Sequence, residues 1–329
     1  MSKVGIIANP AAGKDIRRLV TYATIMDNVK KTDIVRRVIL ALDSTGVDEI
    51  LIMPDHSNLG NRALDGIRQR DLRCRVCIID MPIAGVAEDS MKTALFMYEQ
   101  RADCIITVGG DGTNRVIART CGPVPILPIS TGTNNVFPFM VEGTTAGLAA
   151  GILAQGIVDQ AKFVYPAKRL NIFKNGQLID LALIDAVVLD EAFLGSKAIW
   201  DLSRVKAIIT VQGHPSNIGM ASIGGSFHPI RADEDRGLYL RIGQGNIKVK
   251  AAFAPGMITE VGIEKFRILN MDERVEVTDK PSILALDGER ELIVGLKDTV
   301  EIELCRQGPR VVKIMEILEE AVRKGFFIN

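Results

Sequence analysis

The feature that most constrains this chain is a glycine-rich turn between a short strand and a helix. Residues 105–108 are apolar or β-branched and predict a buried strand, and the chain then breaks at Gly109, Gly110 and Gly112. Glycines at such a break allow positive φ and let the backbone approach a ligand closely. Free N–H groups at the start of the following helix favour an anion, so phosphate is the predicted ligand.

Asp111 lies inside this turn and adds a negative charge to it. A carboxylate beside a phosphate is repelled unless a divalent cation separates them, or unless it receives a proton or a hydrogen bond from a hydroxyl. Each of these arrangements suits phosphoryl transfer. The alternative is that Asp111 only accepts hydrogen bonds from the amides of its own turn.

Strands and helices alternate through residues 1–158, and this pattern predicts an α/β domain with a doubly wound, parallel, Rossmann-like sheet. In such sheets, ligands bind at the carboxyl ends of the strands. Asn9, the turn at residues 109–113 and the loop at residues 130–135 each follow a predicted strand, so we expect them at one edge. The loop at 130–135 offers hydroxyl and amide groups to a ribose or a phosphate, although a turn with a helix cap would also explain it.

After residue 158, the sequence changes to short apolar runs separated by turns, including the hairpin signal Asn175-Gly176. Residues 159–306 are therefore predicted to form a mostly antiparallel, β-sandwich-like domain, interrupted by one helix at residues 197–205. Residues 307–329 form a third part, in which apolar residues at helical spacing predict a helix over residues 311–327.

Charge and hydropathy exclude several classes of partner. Lys plus Arg and Asp plus Glu number 40 each, so no net basic field attracts nucleic acid or an anionic membrane. No stretch reaches the roughly 20 apolar residues of a membrane span, and the N-terminal sequence does not have the pattern of a signal peptide. The odd count of five cysteines argues against a disulfide framework. We therefore expect a cytoplasmic protein with no nucleic-acid partner and no membrane span.

Several motifs resemble one kinase superfamily. The GGDGT sequence at residues 109–113 resembles the signature shared by NAD kinases, diacylglycerol kinases, sphingosine kinases and 6-phosphofructokinases. Residues 9–13 resemble the first nucleotide loop of that superfamily, residues 128–135 its second glycine loop, and residues 286–289 the late DGE motif of its lipid kinases. Residues 193–201 are similar to the NAD-kinase-like branch that includes the acetoin-catabolism X proteins.

The resemblance implies a role for each motif. Asp111 is expected to receive the proton of the acceptor hydroxyl or to orient that hydroxyl. In the family, the end of the chain crosses back to the first domain, which implies the same for the helix at residues 311–327. The residues expected to bind nucleotide or phosphate are Asn9, Pro10, Gly13, Gly109, Gly110, Gly112, Thr113, Thr131, Gly132, Thr133, Asn134 and Asn135.

Four further acidic residues are candidates for substrate or metal binding. Asp287 and Glu289 resemble the acidic pair of lipid kinases, although a plain hairpin turn would explain them equally well. Asp190 and Glu191 stand where NAD kinases carry an Asn-Glu pair that holds the adenosine part of NAD, and the change from Asn to Asp leaves the acceptor open. Mg²⁺ is expected together with ATP or polyphosphate, at Asp111 or Asp287.

Three functions remain open from the sequence. The first is a kinase that phosphorylates a hydroxyl of NAD or a related nucleotide. The second is a lipid kinase of the diacylglycerol or sphingosine type, which the DGE motif and the PGMITE sequence at residues 255–260 favour. The third is a non-catalytic nucleotide-binding regulator linked to acetoin catabolism. By resemblance to NAD kinases, the protein is expected to be a homo-oligomer with a small-molecule substrate.

Overall fold

The structure of this protein is a computed structural model. The residues that it describes are 1–13, 22, 25–68, 71–190 and 202–328. Two sequence predictions lie outside these residues, namely the candidate site residue Glu191 and the family motif at 193–201. Of the helix predicted at residues 197–205, the described part is the 3-10 turn Leu202–Arg204, and Val205 begins a strand.

A sheet of mainly parallel strands forms the first half of the molecule. Neighbouring strands pair in parallel in the order β3-β2-β1-β4-β5, and a short sixth strand, β6, lies at the far edge of the same sheet. Strands β2, β4 and β5 are buried along their whole length, which explains their nearly continuous apolar sequences. The strands are β1 (Lys3–Ala8), β2 (Glu49–Ile52), β3 (Arg75–Ile78), β4 (Cys104–Gly109), β5 (Ile126–Ser130) and β6 (Val164–Pro166).

Helices pack on this sheet through apolar faces. The longest of them, α1, begins where the side chain of Asp27 accepts a hydrogen bond from the backbone N–H of Lys30, at 2.9 Å. Its residues Ile34, Val38 and Leu42 recur at helical spacing and lie in the buried core beneath the sheet. The helices are α1 (Asn28–Ser44), α2 (Leu59–Asp65), α3 (Ala87–Glu99), α4 (Asp111–Ala118), α5 (Gly143–Ala154) and α6 (Gln160–Phe163).

The second half of the chain forms two antiparallel sheets. One has the strand order β12-β11-β10-β9-β14-β15, the other has the order β13-β16-β7-β8, and they share one buried core between their faces. Helix α7 (Met220–Phe227) covers the other face of the larger sheet. The strands are β7 (Arg169–Lys174), β8 (Gln177–Ala182), β9 (Asp185–Leu189), β10 (Val205–Thr210), β11 (Arg236–Ala254), β12 (Met257–Asn270), β13 (Arg274–Glu276), β14 (Ser282–Leu286), β15 (Glu289–Val294) and β16 (Val300–Cys305).

The predicted fold class, a parallel α/β unit followed by antiparallel sheets, is confirmed. The hairpin predicted at Asn175-Gly176 is also confirmed. These two residues join β7 to β8 with φ values of 52° and 80°, as a two-residue hairpin turn requires. Among the helices of the described ranges, none is both long and apolar enough to cross a membrane.

After the antiparallel sheets, the chain returns to the first sheet. Strand β17 (Arg310–Val312) lies between β5 and β6, parallel to the former and antiparallel to the latter. Helix α8 (Ile314–Arg323) then buries Ile317 and Ala321 in the core that also contains residues of α5. The prediction of a continuous helix over residues 311–327 is wrong at its start, because Val311 and Val312 pair with neighbouring strands.

Candidate active site at the ends of strands β1, β4 and β5

Three loops leave the sheet side by side. Parallel pairing sets Ala8 beside Val108 and Gly109 beside Ser130, so the loops after β1, β4 and β5 begin at the same edge. The N–H of Thr131 donates to the carbonyl oxygen of Gly109 at 3.2 Å. We call residues 9–13, 109–113 and 130–135 the three-loop site. This arrangement brings together the residues that the sequence predicted to bind nucleotide or phosphate.

The first loop is tied to both of the others. The Nδ2 of Asn9 donates to the Thr113 hydroxyl at 2.9 Å, while its Oδ1 accepts from the N–H of Ala11 at 2.8 Å. Gly13 has a φ of 72°, and a Cβ atom there would lie 2.8 Å from the carbonyl oxygen of Thr131. Only glycine fits this conformation and this close approach. Pro10 lies between these two anchored residues.

Gly109 and Gly110 of the GGDGT turn lie against neighbouring side chains. Gly110 is the N-cap of α4, and a Cβ atom on it would lie 2.8 Å from Oδ1 of Asn135. Thr113 is buried in the first turn of α4 and accepts the hydrogen bond from Asn9. A hydroxyl that accepts one hydrogen bond can still donate its own proton, for example to an anion.

The carboxylate of Asp111 is held by the chain that follows the second loop. The N–H of Phe137 donates to its Oδ1 at 2.8 Å, and the N–H of Val136 lies 3.1 Å from each of its two oxygens. The side chain is half-buried at the start of α4. Its amide partners lie 25 and 26 residues away, so Asp111 does not simply satisfy the amides of its own turn.

The second loop contains a buried hydroxyl with no hydrogen-bond partner among the described residues. The residue is Thr131, which is 1% exposed, and the atom without a partner is its Oγ1. Its neighbours are internally bonded, since Asn135 donates to the Ser130 hydroxyl at 2.9 Å. Leaving a buried hydroxyl unpaired costs about 1–3 kcal/mol, which a bound ligand with an acceptor oxygen would offset. Thr133 is exposed, and Gly132 and Asn134 are half-buried.

The DGE motif forms a hairpin turn whose two acidic side chains separate. Asp287 and Gly288 join β14 to β15 with φ values of 50° and 82°. Glu289 extends toward the GGDGT turn, where a Cβ atom on Gly112 would lie 3.2 Å from its carboxylate oxygen. Glu289 is therefore next to the three-loop site.

Asp287, a candidate from the sequence for substrate or metal binding, lies in the interior. Its carboxylate is fully buried and accepts hydrogen bonds from the N–H groups of Leu183, Ile184 and Asp185, at 2.8–3.2 Å. Arg115 places its Nε 3.8 Å from Oδ2. Burial raises the pKa of Asp287 to about 6, although the guanidinium and the amides act in the opposite direction. With its oxygens so enclosed, Asp287 has a structural role rather than one as a metal ligand.

Two residues of α4 that the sequence reasoning missed support this site. Arg115 is 2% exposed and also pairs with Asp180 at 3.3 Å, so it connects the GGDGT helix to the antiparallel unit. Asn114 is fully buried, accepts from the Thr107 hydroxyl at 2.7 Å and donates to the carbonyl of Gly110 at 2.9 Å. Both follow Asp111 at helical spacings of three and four residues, and that spacing was the available signal.

Asp190 is not part of the three-loop site. It is exposed and pairs with Lys206 at 2.9 Å, and the hydrogen bond and charge of that lysine lower the pKa of Asp190. It follows the end of β9, whereas the Asp287 turn lies beside the start of that strand, at Ala186. Asp190 is four residue steps beyond Ala186, so about 13 Å of strand lies between Asp190 and the Asp287 turn.

Two family models match the chain in succession. The ATP-NAD kinase N-terminal domain matches residues 4–157, and the acetoin catabolism protein X C-terminal domain matches residues 168–307. The first match covers the whole three-loop site. The class of protein is therefore one with an NAD-kinase-like domain followed by a second domain of its own type.

Similarity to individual proteins identifies the family. The chain is 35% identical over 331 residues to the acetoin catabolism protein X of Cupriavidus necator, covering 97% of this chain and 92% of that relative. The chain belongs to the acetoin catabolism protein X family, and the resemblance read from its motifs is confirmed. It is also 25% identical over 231 residues to the NAD kinase of Methanosarcina barkeri, covering 67% of this chain and 76% of that protein.

Among solved structures, that of a candidate diacylglycerol kinase from Bacillus anthracis is similar over 94% of this chain and 98% of the kinase chain. The two are 14% identical, with a TM-score of 0.47.

Proposed function

We propose that this protein is a phosphotransferase that moves a phosphoryl group from ATP or polyphosphate to a hydroxyl of NAD or a related nucleotide. The convergence of three loops on Asp111 carries the proposal. The GGDGT turn forms the N-terminus of α4, where backbone N–H groups favour phosphate. The buried Thr131 hydroxyl is a further donor, with no protein partner among the described residues. The match to the ATP-NAD kinase N-terminal domain supports the same assignment.

In the proposed reaction, Asp111 acts on the acceptor. Its carboxylate receives the proton of the acceptor hydroxyl as the hydroxyl oxygen forms a bond to the terminal phosphorus of the donor. The bond between that phosphorus and the bridging oxygen breaks, and ADP or the shortened polyphosphate leaves with the electron pair. The amides of Val136 and Phe137 hold the Asp111 carboxylate in a fixed position, which suits a group that must meet one hydroxyl.

Mg²⁺ fits this site only as an ion shared with the substrate. Within the described residues, no group of three or more His, Cys, Asp or Glu side chains is arranged to hold a metal ion. Mg²⁺ is commonly bound by one or two carboxylates together with substrate phosphates, and Asp111 and Glu289 would be those carboxylates here. When bound, it neutralises charge on the transferring phosphate.

The test is transfer of radiolabelled phosphate from ATP with Mg²⁺ to NAD, NADH, diacylglycerol or sphingosine, with polyphosphate as an alternative donor. Label in NADP that disappears in the Asp111→Asn variant is the expected result. Label in no acceptor, with ATP or NAD still bound in calorimetry, would favour the regulator over the enzyme. A regulator would also keep its effect on acetoin catabolism in cells that carry Asp111→Asn.

A lipid acceptor is the second candidate, and one surface feature favours it. Met257 and Ile258, at the start of β12, are 40% and 76% exposed, and they lie within the PGMITE sequence that resembles lipid kinases. Beside them, the carbonyl of Pro255 accepts a hydrogen bond from the N–H of Tyr22, at 3.2 Å, so this hairpin end lies close to the first domain. Sedimentation with liposomes that contain diacylglycerol, compared with a Met257→Ser/Ile258→Ser variant, tests this candidate. Binding that the variant retains would exclude this surface.

A further inference from the structure

A buried lysine lies behind the first loop of the three-loop site. Lys31, in the first turn of α1, is 0% exposed. Its ammonium donates to the backbone carbonyl oxygens of Asn9, Pro10 and Ala12 at 3.0, 2.9 and 2.5 Å. It also lies 3.2 Å from Oδ1 of Asn28. Three carbonyl groups of one short loop therefore point at a single cation.

This arrangement decides where the N–H groups of the loop point. In a trans peptide, the C=O and the N–H of the same plane point in opposite directions. Because the carbonyl of Ala12 faces Lys31, the N–H of Gly13 faces away from it. The carbonyl of Pro10 likewise turns the N–H of Ala11 outward, where it donates to Oδ1 of Asn9.

A continuous chain of hydrogen bonds connects Lys31 to the GGDGT turn. The N–H of Ala11 donates to Oδ1 of Asn9 and so fixes the orientation of the Asn9 side-chain amide. In this orientation, Nδ2 of Asn9 donates to the Thr113 hydroxyl. That hydroxyl accepts from Asn9 and can still donate its own proton. Through this chain, Lys31 helps to orient the Thr113 hydroxyl, which belongs to the same turn as Asp111.

We propose that Lys31 is a positioning residue, which fixes the peptide groups of residues 9–13 so that the N–H of Gly13 and, through Asn9, the Thr113 hydroxyl can donate to the phosphates of a bound nucleotide. This inference rests on the proposed function for the identity of the ligand. It does not require Lys31 to contact that ligand, because its protons are directed at the loop carbonyls. The N–H groups of Ala11 and Ala12 are bonded within the loop, to the side-chain and backbone oxygens of Asn9, so the cation behind the loop holds the frame from which the N–H of Gly13 points outward.

Lys31→Met tests the inference, since methionine matches the length of lysine and lacks the ammonium. Lys30→Met is the matched control, because Lys30 is the adjacent residue and is exposed. Hydrogen exchange of the amides of Ala11 and Ala12, which are bonded to Asn9, should become about tenfold faster in Lys31→Met and stay unchanged in Lys30→Met when no nucleotide is present. Unchanged exchange in a folded Lys31→Met protein would overturn the proposal.

Nucleotide binding supplies the second readout. The dissociation constant for ATP with Mg²⁺, or for NAD, should rise about tenfold in Lys31→Met and be partly restored in Lys31→Arg, which keeps the charge. If Lys31→Met does not fold, Lys31→Gln, which keeps two N–H donors, replaces it in both measurements. A wild-type protein that bound neither nucleotide would refute the proposed function, whereas the exchange data would still support or overturn the role of Lys31 in the loop.

Discussion

Asp111-Gly112 and Asp287-Gly288 are the same dipeptide in two different settings. Both aspartates accept hydrogen bonds from backbone N–H groups that are distant in sequence. Asp111 is half-buried at the three-loop site, whereas Asp287 is fully buried between the two halves of the molecule and faces Arg115. Amide donors around a carboxylate therefore do not identify a catalytic aspartate. The two aspartates differ in exposure, since Asp111 is half-buried and the Asp287 side chain is fully buried.

The largest expected effect is that of Asp111→Asn on turnover. Asparagine keeps an acceptor oxygen for the amides of Val136 and Phe137 but cannot receive a proton, so phosphate transfer should fall about 10²- to 10⁴-fold while the protein still folds. The measurement is labelled phosphate transfer from ATP. Asp190→Asn, which removes an exposed carboxylate outside the three-loop site, is the control. Equal losses in both variants would contradict the distinction between the two aspartates.

Asp287→Ala should have its largest effect on stability instead. The substitution leaves Arg115 buried without this partner and leaves the amides of residues 183–185 without their acceptor. The free energy of unfolding should therefore fall by about 3–5 kcal/mol, as measured by urea denaturation. A loss below about 1 kcal/mol would mean that Asp287 is not the buried anchor that its contacts indicate.

The pH dependence of stability gives an intermediate effect. The pKa of Asp287 rises from 3.8 to about 6 on folding, so between these values the folded state binds more protons than the unfolded state. The free energy of unfolding should therefore decrease as pH rises through this window, by up to about 3 kcal/mol relative to Asp287→Asn. Urea denaturation of both proteins from pH 4 to pH 7 measures the difference. An increase with pH would mean that Arg115 and the amides outweigh burial.

The smallest effect is expected at the other two-residue turn. Asn175-Gly176 has nearly the same pair of φ values as Asp287-Gly288. The Asn175 side chain, however, is exposed and accepts a single hydrogen bond, from the N–H of Thr299 at 2.9 Å. Asn175→Ala should therefore cost about 1 kcal/mol in urea denaturation, mostly from placing alanine at positive φ. A cost equal to that of Asp287→Ala would show that turn geometry, rather than burial, dominates both positions.

Much of the three-loop site could be predicted because its signals are local. A buried strand followed by glycines and a helix start specifies the turn at residues 109–113, and parallel strands then bring residues 9–13 and 130–135 to the same edge. The two-residue turns at residues 175 and 287 also follow from adjacent residues. In each of these cases the physical cause lies within a few positions of the motif.

The partners of the supporting residues could not be predicted, even where helical spacing from Asp111 pointed to the residue itself, because those partners lie far away in the chain. Lys31 follows another lysine and reads as part of a solvated helix surface, yet it is buried against carbonyls about twenty residues earlier. Arg115 pairs with Asp180, which is 65 residues away. The side chains of Asp287 and Glu289 lie on either side of one turn, and the DGE motif does not specify where each of them points. In the structure, Asp287 is buried and Glu289 lies beside Gly112.

Strand β17 has a consequence for how the protein is made. It lies between β5 and β6, so the first sheet is completed by residues that are translated only after the whole antiparallel unit. On the ribosome, the start of β5, at Ile126, must therefore stay without its β17 neighbour, whereas the end of β5 near Thr131 is already paired with Phe139. A gene fragment that stops at the end of the NAD-kinase-like match, at residue 157, would leave the start of β5 without that neighbour permanently. Expressing the NAD-kinase-like half alone would require residues 310–323 to be supplied with it.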